Sequence, residues 1–264
     1  MREAAQDTAA RPYVSTGHLP KPELVARWVR EAHERFRDVA DGAPSTVYPA
    51  LAEAPADLFG ICVVGVRGNV YDAGDAEREF AIMSVSKPFV FALVCERFGA
   101  SELRKRLGAN ATGLAFNSLA AVERGGGITN PMVNPGAIAA TSLVPGAGSD
   151  ERWAFLQRGL SSFAGRRLEL DQEVLASASA TNARNQSIAR LLESYGLLGC
   201  DAAQAVDLYT RQCSLRVSAR DLAVMGATLA DGGFNPMAGE QGRRPSLPCH
   251  PRSDADRRDV RDLG

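Results

Sequence analysis

The stretch that decides how this chain is interpreted is "FAIMSVSKPFVFALVCE", residues 80–96. Its apolar residues cover most of a helical circumference, so the segment from about Ser84 to Phe98 is predicted to be a buried helix. Pro88 falls in the first turn, where its missing N–H costs little. Ser84 lies three residues before Lys87, and positions i and i+3 share one face of a helix. The two side chains can therefore meet at the start of this helix.

This Ser-x-x-Lys pattern has two interpretations. A lysine desolvated by apolar neighbours has a lowered pKa, and its neutral amine could take the proton of Ser84. N–H groups at the helix N-terminus could stabilise an oxyanion, so the chemistry would be acyl transfer. Alternatively, Ser84 only caps the helix and Lys87 is solvated, because serine is a common N-cap and lysine a common surface residue. The motif by itself leaves both interpretations open.

Strands are predicted before this helix and mainly helices after it. Residues from Lys21 to about Asp41 have helical apolar spacing. The segment "LFGICVVGVRGNVYDAGDA", residues 58–76, has two β-branched runs around a turn and predicts an antiparallel hairpin. Ser218 and Asp221 have the spacing of a capping box. Further helices are predicted from about Gly136, at about 150–164, 171–178, 183–195 and 202–212, and from Ser218 to Asp231.

The composition excludes several classes of protein. The chain has 264 residues, 45% of them hydrophobic, which is ample for a packed core. Its 30 lysines and arginines balance 31 aspartates and glutamates, so no basic field favours nucleic acid or a membrane surface as a partner. The chain offers neither a signal-peptide apolar region nor the roughly 18 apolar residues of a membrane span. We therefore expect a cytoplasmic protein with a small-molecule substrate.

The cysteines and histidines argue against metal or histidine-based chemistry. Five cysteines are scattered without a CxxC motif, and neither a disulfide framework nor a zinc site is expected. A phosphate-binding loop, a dinucleotide-binding fingerprint and an HExxH motif are also missing. None of His18, His33 and His250 has a persuasive setting for a Ser-His-Asp catalyst. A serine nucleophile in this chain must use another base.

The chain divides into three predicted parts. No internal repeat or linker interrupts residues 21–238, which we expect to form one domain. Residues 1–20 carry charges of both signs and are expected to form a flexible leader. Residues 239–264, "GEQGRRPSLPCHPRSDADRRDVRDLG", are dominated by arginine, aspartate and proline without helical or strand periodicity. We expect this tail to be disordered or to result from a frameshift.

Over roughly residues 20–238 the chain resembles the glutaminases, serine-dependent amidohydrolases related in fold to β-lactamases and penicillin-binding proteins. The resemblance implies an α/β (α+β) fold, with an antiparallel sheet, flanking helices and a helical subdomain. It also implies a homo-oligomer, usually a tetramer, that needs no metal or organic cofactor. The matching stretches, in order, are "VYPALAEAPADLFGICVV", "FAIMSVSKPF", "NPMVNPGAI", "ARNQSIARLL" and "LYTRQCSLRVSARDLAVMGATLADGGFNP".

The resemblance assigns roles to six residues. It makes Ser84 the nucleophile, Lys87 its base and Tyr48 the hydroxyl that relays protons at the reacting centre. Ser84 would also contact the substrate, L-glutamine. Amide and hydroxyl groups suit such a zwitterionic amide, since they can hold a carboxylate and a carboxamide without adding charge. The further substrate-binding residues implied by the family pattern are Asn134, Asn185 and Tyr209.

The chain departs from the family pattern in several places. Ala178, seven residues before Asn185, stands where the family has a glutamate that pairs with the substrate's amino group. Glu173, five residues before Ala178, has no evident way to replace it. Met83 and Pro135 replace a usual glutamine and alanine. The family's strand-rich segment with a "GLPAKSGVGGG"-like stretch is missing after "GGFNP", so the chain is expected to be a C-terminally truncated member.

Three functions follow from these observations. The first is hydrolysis of L-glutamine to L-glutamate and ammonia through an acyl-enzyme on Ser84. The second is an inactive truncated relic, or a protein that binds intact subunits without turnover, which the departures favour. The third, a penicillin-recognising protein, is weaker because no K-T/S-G element follows the Ser-x-x-Lys motif. Family membership favours the first.

Overall fold

The structure is a computed structural model that describes residues 20–238. The tail predicted at 239–264 lies outside the described residues, and so does the leader predicted at 1–20 except for its last residue. Both assignments, and the domain boundaries that go with them, stay predictions. Within the described range no helix is long and apolar enough to cross a membrane.

The first half of the described chain contains most of the strands. Its elements are α1 (Pro22–Phe36), α2 (Pro49–Ala52), β1 (Gly60–Val64), β2 (Val70–Gly74), β3 (Phe80–Ala81), a 3₁₀ turn (Met83–Val85), α3 (Ser86–Phe98), α4 (Ala100–Leu103) and α5 (Leu119–Arg124).

The second half is almost entirely helical, as the sequence predicted. Its elements are α6 (Asn134–Ser142), α7 (Ser149–Ala164), α8 (Gln172–Thr181), α9 (Ala183–Ser194), α10 (Ala202–Cys213), β4 (Arg216–Val217) and α11 (Ala219–Ala230). At the start of α11 the predicted capping box is present, because Ser218 and Asp221 each accept a hydrogen bond from the other's backbone N–H.

The predicted hairpin is confirmed. Strands β1 and β2 pair antiparallel, with Gly60 opposite Gly74 and Val64 opposite Val70. The connecting turn requires Gly68, whose φ of 84° lies in the left-handed region. Helices α1 and α11 pack against this sheet. Helix α1 ends at Phe36, earlier than the predicted Asp41, and beyond its end Val39 is 61% exposed with no core to join.

A second small sheet joins two distant parts of the chain. Strand β3 pairs antiparallel with β4, with Phe80 opposite Val217 and Ala81 opposite Arg216. The ladder continues one step further, because the Ile82 N–H donates to the Leu215 carbonyl at 2.8 Å. Two-residue strands carry no periodicity, so the sequence did not predict this sheet. The pairing places the start of α3 beside the end of α10.

Helix α6 is the centre of the helical body. All nine of its residues are buried, and α3, α9 and α10 pack against it. It begins at Asn134 instead of the predicted Gly136, because Pro135 is accommodated in the first turn, where no intrahelical N–H bond is lost. The largest fully buried side chains of the core include Phe163, Leu93, Ile138, Leu156, Leu160, Ile188, Leu192 and Leu208.

Candidate active site

Ser84 lies in the 3₁₀ turn between β3 and α3. The preceding residue, Met83, has φ of 50° and is the one non-glycine residue with positive φ in the range 20–238. This region of φ/ψ space is rarely occupied by bulky residues and often marks a functional turn. The turn leaves Ser84 exposed while its neighbours Ile82 and Ser86 are buried. The hydroxyl of Ser84 is therefore presented at the surface of a buried helix start.

The structure joins Ser84 to Lys87. The Lys87 Nζ donates to Ser84 Oγ at 2.8 Å, although only 5% of Lys87 is exposed. Burial lowers the pKa of the Lys87 amine. The interpretation as a capping serine with a solvated lysine is wrong, because Val85 is the N-cap of α3 and no side chain caps that helix. Ser84 also precedes α3 instead of starting it.

Aromatic rings flank the lysine amine. Its Nζ lies 5.9 Å from the centre of the Phe116 ring and 6.0 Å from that of Tyr209. Phe116 belongs to the loop before α5, and its carbonyl accepts the Asn134 N–H at 2.7 Å. Neither ring brings a negative charge to the amine. Phe116 was missed from the sequence, since nothing in its local pattern indicates this contact.

Hydrogen bonds connect the predicted substrate-binding residues. The Tyr209 hydroxyl donates to Asn134 Oδ1 at 3.2 Å, and Asn134 Nδ2 donates to Asn185 Oδ1 at 3.0 Å. Tyr209 also lies near Ser84, whose side chain partly offsets the rise in the pKa of the Tyr209 hydroxyl. Hydrogen bonds thus join Lys87 to Ser84 and, separately, Tyr209 to the two asparagines. All three substrate-binding candidates are at most 8% exposed.

Tyr48, the remaining predicted site residue, is the half-buried N-cap of α2. Burial, followed by the neighbouring Cys213, raises the pKa of its hydroxyl. The pKa of the Tyr209 hydroxyl lies well above its ordinary value. Burial is the largest cause, and the neighbouring Cys213 and Tyr48 raise it further. Tyr48 therefore lies close to Tyr209 and Cys213. Among the described residues, no hydrogen bond joins Tyr48 to Ser84 or Lys87.

Cys213 is a further buried group beside the site. Burial raises the pKa of its thiol to about 11, so it is protonated at neutral pH. Its Sγ lies 3.9 Å from the hydroxyl of Ser86, which is itself fully buried in the first turn of α3. Spacing could have indicated the burial of Ser86, because it shares a helix face with the core residues Phe89 and Val90.

Ala178 is 2% exposed and lies on α8, which packs against α2 and α10. The Ser177 hydroxyl accepts the Ala50 N–H at 3.2 Å, which ties α8 to the helix that follows Tyr48. Glu173 is exposed in the first turn of α8. Five residues correspond to about 140° around a helix, so Glu173 points away from the face of Ala178. The helix thus supplies no carboxylate at the position of Ala178.

The described residues contain no group of three His, Cys, Asp or Glu side chains that could hold a metal ion. The groups gathered at the candidate site are instead a hydroxyl, an amine, two phenols and two amides. Such a set can accept and return a proton at one serine and can bind a polar substrate through neutral donors and acceptors.

The mixed helical body with small antiparallel sheets places the protein in the class of β-lactamase-like folds, which confirms the predicted fold. The chain matches the glutaminase family over residues 42–246, and it belongs to that family. Glutaminase 2 of Yersinia pestis is 64% identical over 230 residues, which are 87% of this chain and 68% of that protein.

Solved structures agree with this assignment. The structure of the probable glutaminase YbaS matches with a TM-score of 0.82 and 40% identity, covering 87% of this chain and 73% of that one. The structure of Mglu in its glutamate form matches with a TM-score of 0.74 and 36% identity, covering 87% of this chain and 52% of that one. The expected membership of the glutaminase family is therefore confirmed.

Proposed function

We propose that the protein is a glutaminase that hydrolyses L-glutamine to L-glutamate and ammonia through an acyl-enzyme on Ser84. The observation that carries the mechanism is the 2.8 Å contact between Ser84 Oγ and the buried amine of Lys87. Membership of the glutaminase family supports the substrate. The glutamate form of Mglu, a structural relative, supports a site that accepts this product.

In the first half of the reaction, neutral Lys87 takes the proton of Ser84 as Oγ attacks the carbon of the substrate's side-chain amide. The carbon becomes tetrahedral and its oxygen carries the negative charge. The intermediate then collapses, the C–N bond breaks, and the nitrogen leaves as ammonia after receiving a proton. That proton comes from the Lys87 ammonium, with Tyr48 relaying it. The product of this half is a glutamyl ester on Ser84.

In the second half, water attacks the ester carbon and gives a proton to the same amine. The new tetrahedral intermediate expels Ser84 Oγ, which recovers its proton, and L-glutamate is released. Burial of Lys87 suits both halves, because an amine with a lowered pKa can be neutral before each attack and protonated after it. Tyr48 and Tyr209 stay protonated, since burial raises the pKa of both.

Asn134, Asn185 and Tyr209 hold the substrate in this proposal. They come from the starts of α6 and α9 and from the middle of α10, so three helices fix their positions. Their mutual hydrogen bonds orient the two amide groups before substrate arrives. Preorganised polar groups lose less entropy on binding than mobile ones. Within residues 20–238, the Asn185 amide nitrogen keeps no hydrogen-bond partner and is available to a carboxylate of the substrate.

We also place the protein in the cytoplasm as a homotetramer. The cysteines Cys62, Cys95, Cys200 and Cys213 are free, which agrees with a reducing compartment. Exposed aromatic residues such as Trp28 and Tyr195, 48% and 44% exposed, offer apolar surface for subunit contacts. Mass measurement of the purified chain in solution tests the tetramer.

The test of the activity is ammonia release from L-glutamine by the full 264-residue chain. We expect turnover that Ser84→Ala and Lys87→Met abolish. Ser187→Ala, which removes an exposed hydroxyl on α9, serves as the control and should leave the rate unchanged. L-Asparagine, one methylene shorter, should be a poorer substrate. A folded chain without turnover, or turnover that survives Ser84→Ala, contradicts the proposal.

A further inference from the structure

Ser86 lies between Ser84 and Lys87 in the sequence, but its side chain is fully buried. Its Oγ donates a hydrogen bond to the Met83 carbonyl at 2.8 Å. The Ser86 backbone N–H donates to the same carbonyl oxygen. Two donors from one residue thus hold the peptide that immediately precedes Ser84.

A buried network fixes the direction of the Ser86 hydroxyl. Gln212 Nε2 donates to Ser86 Oγ at 3.3 Å, and Thr141 Oγ1 donates to Gln212 Oε1 at 2.9 Å. Thr141 and Gln212 are also fully buried. Because the Ser86 oxygen accepts a hydrogen bond from Gln212, its own hydroxyl hydrogen is directed to the Met83 carbonyl. Such satisfied buried networks rigidify the groups they contain.

The held peptide belongs to the residue with the unusual backbone conformation. Met83 has φ of 50°, and a conformation of this kind persists only where its surroundings impose it. The position of the Ser84 side chain follows from this turn, whereas Lys87 is already on α3. A small relaxation at Met83 would therefore separate Ser84 Oγ from Lys87 Nζ. Small misplacements of reacting groups reduce rates strongly.

We propose that Ser86 is a positioning residue, whose buried hydroxyl, held by Gln212 and Thr141, clamps the left-handed turn at Met83 and keeps Ser84 Oγ against Lys87 Nζ. The inference rests on the proposed function in that the Ser84 and Lys87 pair is taken as the reacting pair. Ser86 itself does not contact substrate. Ser86 holds the Met83 carbonyl from the core side of the turn, and this contact fixes the position of Ser84 at the surface.

The experiment compares Ser86→Ala with Ser214→Ala in the full chain. Ser214 is an equally buried serine whose hydroxyl donates to one helix carbonyl, that of Thr210, so its loss controls for general destabilisation. For Ser86→Ala we expect kcat for L-glutamine to fall about ten- to a hundred-fold, with KM changed less than about two-fold. Ser214→Ala should keep both constants while losing comparable thermal stability.

A second variant covers the case in which Ser86→Ala does not fold. Thr141→Val keeps the side-chain shape and releases only the far end of the network, Gln212 Oε1. The kcat of Thr141→Val should also fall, by a smaller factor than that of Ser86→Ala, and its KM should stay constant. Unchanged kcat in Thr141→Val and in folded Ser86→Ala would overturn the clamp.

A covalent probe separates failure of the clamp from failure of the proposed function. The Oγ of an activated serine attacks the phosphorus of a fluorophosphonate and gives its proton to Lys87. An O–P bond forms, the P–F bond breaks and fluoride leaves, so labelling needs no glutamine. We expect it to label Ser84 in the wild type and Ser214→Ala, and to label Ser86→Ala about ten-fold more slowly. Labelling without glutamine turnover overturns only the glutaminase function. Equal labelling of Ser86→Ala overturns only the clamp, and an unlabelled wild type overturns both.

Discussion

The amine of Lys87 is largely buried, and it still forms a hydrogen bond with the hydroxyl of Ser84. Burial lowers the pKa of this amine, while the same effect raises the pKa of the neighbouring Tyr48 and Tyr209. Desolvation disfavours whichever form is charged, so it moves a lysine and a tyrosine in opposite directions. Of the three groups, only Lys87 gains a larger neutral-base fraction near neutral pH.

The pH dependence of the reaction should reflect this amine. Below the lowered pKa of Lys87 the amine is protonated and cannot accept the serine proton, so kcat/KM should rise with pH. It should level off below pH 10.5, the ordinary lysine value, because the pKa of Lys87 lies lower than that. The measurement is a pH profile of ammonia release. A kcat/KM that shows no rise with pH anywhere below pH 10.5 would contradict Lys87 as the base.

In the proposed site, Ala178 stands where the family resemblance implies a carboxylate for the substrate's amino group. We predict that Ala178→Glu raises kcat/KM for L-glutamine by about ten-fold or more, mainly through a lower KM. The free variant should unfold at a lower temperature, because a buried carboxylate without a partner costs free energy. Saturation kinetics and thermal unfolding measure the two effects.

Ala176→Glu is the matched control for this gain. It introduces the same side chain on α8 two residues earlier, at an exposed position. Neither KM nor stability should change appreciably. If Ala178→Glu behaved like Ala176→Glu, position 178 would not face the substrate.

At the level of the elements, the site depends on where helices begin. Asn134 is the first residue of α6, Asn185 lies in the first turn of α9, and Lys87 lies in the first turn of α3. First-turn residues sit where N–H groups lack intrahelical partners, so the loops before them must be held by other contacts. The Asn134 N–H, for instance, donates to the Phe116 carbonyl. Shifting such a loop moves the functional residue with it.

Gly136 tests this dependence of the site on the start of α6. A Cβ at this position would collide with the carbonyl oxygen of Asn130, in the loop before the helix. Gly136→Ala should therefore destabilise the fold by about 1–3 kcal/mol. It should also raise KM, because Asn134 is two residues away. Thermal unfolding and saturation kinetics check both expectations.

Gly226 provides the contrast, since it is exposed on α11 and a Cβ there would meet nothing within 4 Å. Gly226→Ala should stabilise the protein by about 0.5–1 kcal/mol, because alanine loses less backbone entropy in a helix. Its KM should be unchanged. Equal stabilities for Gly136→Ala and Gly226→Ala would mean that the loop at Asn130 moves aside without loss of free energy of unfolding.

In the whole molecule, an ionic network ties the small second sheet to the helical body. Arg166, just after α7, makes a salt bridge of 2.6 Å to Asp221 in α11 and one of 2.7 Å to Glu79 beside β3. The Asp221 side chain is 11% exposed. Burial alone would raise the pKa of Asp221, but the hydrogen bonds from Arg166 and Ser218 outweigh it and lower that pKa.

Asp221→Asn should lower the free energy of unfolding at neutral pH by about 1–3 kcal/mol, because the variant loses charged hydrogen bonds. The wild-type contribution is present above the ordinary carboxyl pKa of 3.8 and is lost as the pH falls through the lower folded value. The variant should therefore lose less stability than the wild type in acid. Denaturant unfolding at neutral and acidic pH measures this difference.

The control for this prediction is Asp207→Asn. Asp207 pairs with Arg211 one helical turn away, and the two side chains are 40% and 29% exposed. Exposed pairs at this spacing contribute about 0.3–0.5 kcal/mol. A loss in Asp221→Asn no larger than in the control would contradict a structural role for the network.

Sequence patterns predicted the local parts of the architecture well. The hairpin of β1 and β2 and the helices α6 to α11 follow from periodicity, caps and turns, all of which act within a few residues. The contact of Ser84 with Lys87 is equally local, because three residues separate them. The shorter elements, such as α4, α5, β3 and β4, were not predicted, since two to six residues carry too little periodicity.

What the sequence determined by itself is the longer helices, the hairpin, the serine and lysine pair, and the family to which these belong. Only the tertiary structure decided three features of the site: the burial that lowers the pKa of Lys87, the hydrogen bonds from Tyr209 to Asn134 and from Asn134 to Asn185, and the support of Met83 by Ser86. These contacts join residues of different helices or depend on what covers a side chain. Their formation needs the whole core to assemble, and no short stretch of chain encodes it.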